Sequence, residues 1–363
     1  MKKYVSLIPI TLLIFALVGC GQTEDVNGSA NGGNKKKETV KEASALNENK
    51  EPETPYAPVP PSKDAKPLKD FSADSKKGKA SSKDQNSNHK RKVPLGQTLM
   101  AGKKDLSNGP LKKYRLVSFY GTPISNKMGV LGESSPEEMM KKLKKQAQAY
   151  SNADPSRPAV PTIELIASVA QRDPGPKKLY ISHTSKEIIE RYAKLAKDNK
   201  ALLILDVQLG RDSIMNEVKE LEPYLKMPNV HLAIDTEFHV GKGQVPGEDL
   251  GHVNGANIQK AIKYINNLVK KDNLPDKIVM VHEFQKGIIK NKSLIKPTKH
   301  VEVVQNSDGF GRAKDKKYKY HQLVTEQTNQ YGGFKLFYHE DQPLLSPKQV
   351  LRLDPSPAVV NYQ

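Results

Sequence analysis

The sequence predicts an α/β fold, a (β/α)8 TIM-like barrel that follows a disordered N-terminal tether. Three observations carry this expectation. Eight short apolar runs alternate with amphipathic, capped segments between residues 111 and 363, the count and length of such a barrel. The composition changes near residue 111, from Lys-, Ser-, Asn- and Pro-rich to aliphatic. Polar and ionisable residues then recur where the apolar runs end, as they do at the C-terminal mouth of a barrel enzyme.

Residues 1–19 read as an export signal. Lys2 and Lys3 precede the apolar run from Leu7 to Val18, which is too short to span a bilayer comfortably. Leu17-Val18-Gly19-Cys20 resembles the lipobox of bacterial lipoproteins, in which the cysteine is lipidated and becomes the new N-terminus. Cys20 is the one cysteine in the chain, so an intramolecular disulfide and a cysteine-based zinc cluster are excluded. Acyl chains contribute roughly 0.8 kcal/mol per buried CH₂, enough for several to anchor a protein stably. The implied location is the extracytoplasmic face of the cell membrane, with the membrane itself a partner through Cys20.

Residues 20–110 then read as the lipidated Cys and a disordered linker. Stretches such as Asn31-Gly32-Gly33-Asn34-Lys35-Lys36-Lys37 and Pro55-Tyr56-Ala57-Pro58-Val59-Pro60-Pro61 bury too little apolar surface to offset chain entropy. This segment dilutes the hydrophobic fraction to 36%, below the ~45–50% of globular domains. The chain's formal charge of +18 leaves +11 on residues 111–363 once the +5 of the linker and the +2 of the signal are set aside. Export removes nucleic acid as a partner and leaves anionic wall polymer or lipid.

Residues 111–363 form the barrel domain, expected as a monomer. Candidate strands are Tyr114–Tyr120, Thr162–Ser168, Ala201–Asp206, Val230–Asp235, Lys277–His282, Val301–Gln305, Gly333–Tyr338 and Ala358–Tyr362. Ser135-Pro136-Glu137-Glu138 opens a helix to about Tyr150 with a capping box and proline at its first position. Ser185 opens a second to Asn199, and Asp212 or Ser213 a third to about Met227. Ala256–Lys271 carries Ile258, Ile262, Ile265 and Leu268 on one face. A weaker helix is expected over Lys316–Asn329 and a short one over Ser346–Leu351. No helix follows the eighth strand, so closure is missing or comes from residues near 95–110. A doubly wound open sheet is the rival topology, but no glycine-rich βα fingerprint is present.

The strand ends supply the candidate site. Asp235 and Glu237 are two apart at the end of the fourth strand, where i and i+2 share a face. Two such carboxylates suit glycoside hydrolysis, one acid protonating the leaving oxygen and the other serving as nucleophile, base or orienting partner. They equally suit a hard divalent cation. Asp206 ends the third strand. Glu164 lies within an apolar strand, where a carboxylate needs a partner such as Arg211 or His282, or a raised pKa. Glu237, Asp235, Asp206 and Glu164 are therefore the catalytic candidates. Tyr120, Gln208, Arg211, His282 and Asp308 are the substrate-binding candidates. Among the histidines no His-x-x-x-His spacing occurs, so no metal site is assigned, and no cofactor is expected. No G-x-S-x-G elbow or phosphate-cradling glycine loop is present.

Several stretches together resemble a family of secreted and lipid-anchored proteins of Gram-positive bacteria with a glycoside-hydrolase-like β/α barrel. They are Phe119-Tyr120-Gly121-Thr122-Pro123, Leu131-Gly132-Glu133, Leu205 through Arg211, Ala233 through Phe238, His282-Glu283-Phe284 and Val360-Asn361-Tyr362-Gln363. The resemblance implies a fold and a location but brings no reaction with it. More distantly, Asp235-Thr236-Glu237 is similar to the DxE signature of β/α-barrel chitinases. In that pattern further aspartates precede the DxE, whereas Ala233 and Val230 stand there in this chain. A mechanism assisted by a substrate acetamido group is disfavoured accordingly.

The leading expectation is a surface-anchored lipoprotein with a glycoside-hydrolase-like barrel acting on cell-wall or extracellular polysaccharide. One alternative is a non-catalytic lipoprotein that binds such a glycan. The other is a metal-dependent phosphodiester hydrolase.

Overall fold

A computed structural model describes residues 54–68, 91–326 and 330–363. The signal, Cys20 and residues 69–90 lie outside the described residues. No helix among those described is long and apolar enough to cross a membrane.

The described chain folds as a closed barrel of eight parallel strands. They are β1 (Arg115–Gly121), β2 (Ala159–Ala170), β4 (Leu202–Gln208), β5 (Val230–Asp235), β7 (Lys277–Glu283), β9 (Val301–Ser307), β10 (Tyr331–Leu336) and β11 (Val359–Tyr362). Each pairs with the next in parallel, and β11 returns to β1 through Leu116↔Val359 and Ser118↔Asn361. The eight apolar runs read from the sequence are these eight strands. A short β3 (Ile181–His183) pairs antiparallel with the far end of β2. A two-residue parallel pair, β6 (Val253–Asn254) with β8 (Ile289–Lys290), lies among the connections beyond the strand ends.

Helices follow the strands as the caps dictate. α1 (Pro136–Ala153) starts where Ser135 Oγ accepts the Glu138 N–H, and α2 (Lys186–Asp198) where Ser185 accepts that of Ile188. The third expected helix is two pieces, α3 (Ile214–Glu220) and α4 (Glu222–Leu225). Pro223 lacks the N–H and the ring space to continue α3, so the helix breaks there. α5 (Gly255–Asp272) is capped by Asn254 and ends at Asn273 in the left-handed region. The weak helix expected over Lys316–Asn329 is α6 (Ala313–Tyr320) followed by a π-helical turn over His321–Thr325. α7 (Pro347–Val350) carries a capping box between Ser346 and Gln349. Between β7 and β9 a single 3-10 turn, Lys292–Leu294, replaces a full helix.

Period-two alternation sorts each strand into two cores. Val117, Phe119, Ile163, Leu205, Ile234, Val281 and Val360 face the helices. Leu116, Val160, Ile204, Ala233, Met280, Val304 and Val359 face inward and fill the lower half of the barrel.

Residues 54–68 and 91–110, assigned to the linker from composition, lie instead against the barrel. Val59 pairs antiparallel with Ala159, and Ala57 N–H donates to Lys200 O at 2.8 Å. Arg91 donates to Arg352 O at 2.6 Å, and Leu99 bridges to Tyr331. Tyr56, Leu99, Leu111 and Tyr114 pack under the inner core and close its N-terminal end. Their apolar contacts are single residues set among Pro and Lys, so no periodicity announced them. Buried Glu302 accepts the Leu111 N–H at 3.2 Å in this plug. Burial and neighbouring Asp105 push its carboxyl well up, so it is held as the neutral acid.

Candidate functional site

Above the apolar inner layer, the same inward positions become polar. The registers Tyr120↔Glu164, Gln208↔Asp235, Asp235↔His282, His282↔Asn306 and Lys335↔Asn361 carry polar groups around the barrel. Alternation therefore delivers to one interior what eight separate stretches of sequence encode.

His282 is the hub. Its Nε2 lies 2.8 Å from Glu164 Oε1 and its Nδ1 2.9 Å from Asp308 Oδ2. With a carboxylate at each nitrogen, both N–H groups donate and the ring is an imidazolium. Burial opposes that charge, but the bonds to Asp308 and Glu164 outweigh it and hold the pKa well above the usual imidazole value. Glu164 also accepts from Ser118 Oγ at 3.2 Å and from the Asn361 amide. Asp308 accepts from Lys335 Nζ at 3.0 Å and from the Gly309 N–H at 2.5 Å. Burial would raise the Asp308 carboxyl, yet Lys335 and His282 keep it far below the carboxylate range. Lys335 Nζ stands 3.6 Å from the centre of the Tyr120 ring, a cation–π contact.

The other carboxyls of the cluster are raised. Burial pushes Asp206 up to about 8 against the pull of His282, with Asp235 and Glu164 adding to the rise. Tyr120 OH donates to Asp206 Oδ2 at 3.3 Å, and Gln208 Nε2 donates to Tyr120 OH at 3.3 Å. Asp235 is raised by burial to about 6, tempered by His282 and Lys335 and by the Glu237 N–H that it accepts. Glu237 stands two residues beyond the end of β5, half-buried at the rim. Desolvation, then Asp235 and Asp308, lift it well above a normal glutamate.

Of the nine catalytic and binding residues expected from sequence, eight gather here and Arg211 does not. Its guanidinium lies 4.0 Å over the Tyr180 ring and donates to Gln244 O at 2.6 Å. The partner of Glu164 is His282. Lys335, Ser118, Asn306 and Asn361 are the contributors the strand-end reading passed over. A lysine at the inward position of Gly333–Leu336 was the available signal.

Glu164, Asp206, His282 and Asp235 are 0%, 0%, 1% and 4% exposed, so only the rim above them, with Glu237, meets a ligand without movement. There Phe310 is 58% exposed, edge-on to Phe337 at 5.8 Å between ring centres. Gly309 and Gly311, both at positive φ, flank it and let the chain turn over Asp308. Three buried oxygens, Asp206 Oδ1, Asn306 Oδ1 and Asn361 Oδ1, accept no hydrogen bond among the described residues. Glu164, Asp206 and His282 each offer an atom within 4.8 Å of the others, near enough to surround a cation. A cation there would have to displace the proton on Nε2 that binds His282 to Glu164 and compete with the proton that burial favours on Asp206.

Comparison with known protein families and with curated proteins finds no match.

Proposed function

We propose that the protein is a surface-anchored, glycoside-hydrolase-like barrel that acts on cell-wall or extracellular polysaccharide. The observation that carries this reading is the split between two neighbouring carboxyls at the barrel mouth. Glu237 is lifted well above a normal glutamate, while Asp235 is raised only to about 6. In this scheme Glu237 donates its proton to the glycosidic oxygen as the bond to the anomeric carbon breaks. Asp235 meets the positive charge that develops there, as nucleophile or by taking a proton from the attacking water. Asp206, bonded by Tyr120 and linked electrostatically to Asp235, lies beneath this pair; Glu164 holds His282 and is a positioning residue. Phe310 offers an aromatic face to a sugar ring.

The depth of Glu164, Asp206 and His282 favours a second reading, in which the mouth binds a glycan without cleaving it. Mass spectrometry of isolated wall and capsule glycans incubated with the protein separates the two. New oligosaccharides from the wild type, and none from Glu237→Gln of unchanged fold, support hydrolysis. Binding without products supports the second reading.

A further inference from the structure

Beside Glu237 lies an open depression of about 230 Å³, lined by Leu250, Gly251, His252, Gln285, Lys286 and Lys290. Its two walls, the segments after β5 and β7, are fastened together by the β6–β8 pair and by Val253 N–H donating to Ile288 O at 3.0 Å. They are also fastened to the mouth. Gly251 N–H donates to Glu237 O at 2.8 Å, and His252 N–H to His239 O at 2.9 Å. A Cβ on Gly251 would collide with the backbone of Glu237 and His239. The wall of the depression therefore runs flush along the residue assigned as general acid.

Charge in the depression is one-sided. His252, Lys286 and Lys290 are exposed. Burial, then Lys290 and His239, hold His252 below the usual imidazole value. Glu283, at the end of β7, is buried and already engaged by Lys292 and by Gln305 Nε2. Across Phe284, the Lys319 ammonium donates to Asp308 O at 3.2 Å and stands 5.6 Å over the Phe284 ring. A neutral chain laid here would gain nothing from the exposed Lys286 and Lys290. A chain bearing negative groups would neutralise them while its sugar faces meet Leu250 and its hydroxyls meet Gln285.

We propose that this depression is a subsite for the anionic part of a saccharide polymer that continues from the position over Glu237. The inference takes its orientation from the hydrolase reading and deepens it to a substrate class, a polysaccharide carrying carboxylate or phosphodiester groups. The concave placement of the cations suits a single chain rather than a flat lipid surface.

The test is equilibrium binding to the full chain carrying Glu237→Gln, so that binding is read without turnover. The probes are hexagalacturonate, a glycerol phosphate oligomer of similar charge, and neutral chitohexaose. One anionic probe should bind about tenfold tighter than the neutral one at low salt, with the difference shrinking as salt rises. Adding Lys286→Gln and Lys290→Gln should remove about tenfold for that probe, with the neutral probe and the thermal midpoint unchanged. Whichever anionic probe responds identifies carboxylate or phosphodiester as the source. Equal binding of neutral and anionic probes, no binding of either anionic probe at millimolar concentration, or an unchanged double variant would overturn the proposal. So would binding confined to phosphatidylglycerol vesicles. The expected binding pattern in a wild type that releases no product supports the subsite and removes the hydrolase reading alone.

Discussion

Lys335 and Asp308 form a buried ion pair, Nζ to Oδ2 at 3.0 Å, with side chains 4% and 12% exposed. The pair joins β10 to the turn after β9, and through His282 it reaches Glu164 on β2. Opposite sides of the barrel are thereby tied by charge across its interior.

Removing one partner leaves the other charge buried and unmatched. Lys335→Met should therefore destabilise the fold by roughly 3–5 kcal/mol, read from denaturant unfolding. Without its counter-ion Asp308 should also titrate closer to a normal carboxylate, measurable by NMR. A loss below ~1 kcal/mol, the range of an exposed pair, would contradict the burial described.

Stability should fall as pH rises through the neutral range. Asp206 is raised from 3.8 to about 8 and Asp235 from 3.8 to about 6. A raised acid binds more protons folded than unfolded, so its contribution is complete below 3.8 and disappears as pH climbs through the folded value. His282, raised from 6.5, acts in the same direction above that value. Asp206→Asn keeps the shape and removes the titration. The pH dependence of the thermal midpoint between 4 and 8 should flatten in that variant, with its stability at pH 8 at or above that of the wild type.

Leu111, fully buried beneath the inner core, tests whether the N-terminal segment belongs to the barrel. Leu111→Ala should cost about 2–5 kcal/mol, the range for core leucines. A change under ~0.5 kcal/mol would mean that the segment does not plug the barrel end.

The protein should need no divalent ion. Activity or glycan binding is expected to survive dialysis against EDTA, with elemental analysis finding less than equimolar metal in the untreated protein. Activity lost to chelator and restored by one metal would instead assign Glu164, Asp206 and His282 as its ligands.

The barrel was legible because its signal is repetitive. Parallel strands covered on both faces read as short, nearly continuous apolar runs, and Ser135, Ser185 and Ser346 marked helix starts between them. Asp235, Glu237 and Asp206 were legible for a related reason, since acids at the ends of apolar strands stand out. Lys335 and Asn361 were not. A single polar residue in a four- to six-residue strand looks the same whether it faces water or a charged interior, and only barrel closure decides. The plug over residues 54–68 and 91–113 escaped because its few anchors, such as Val59, Leu99 and Leu111, are spaced by prolines and lysines without period. The break at Pro223 was present in the sequence, but the amphipathic pattern across it is continuous.

In the proposed hydrolysis Glu237 and Asp235 share proton transfer at the barrel mouth. The most direct measurement is the pH profile of kcat/KM on a glycan the protein cleaves, for the wild type, Asp235→Asn and Glu237→Gln. The wild-type profile should be bell-shaped, with its acid limb near 6 and its alkaline limb well above the normal glutamate range. Asp235→Asn should abolish the acid limb along with most of the rate, and Glu237→Gln should cut the rate by about 10²-fold or more. Wild-type kinetics in Glu237→Gln, or no cleavage of any wall or extracellular glycan at any pH, would contradict this assignment.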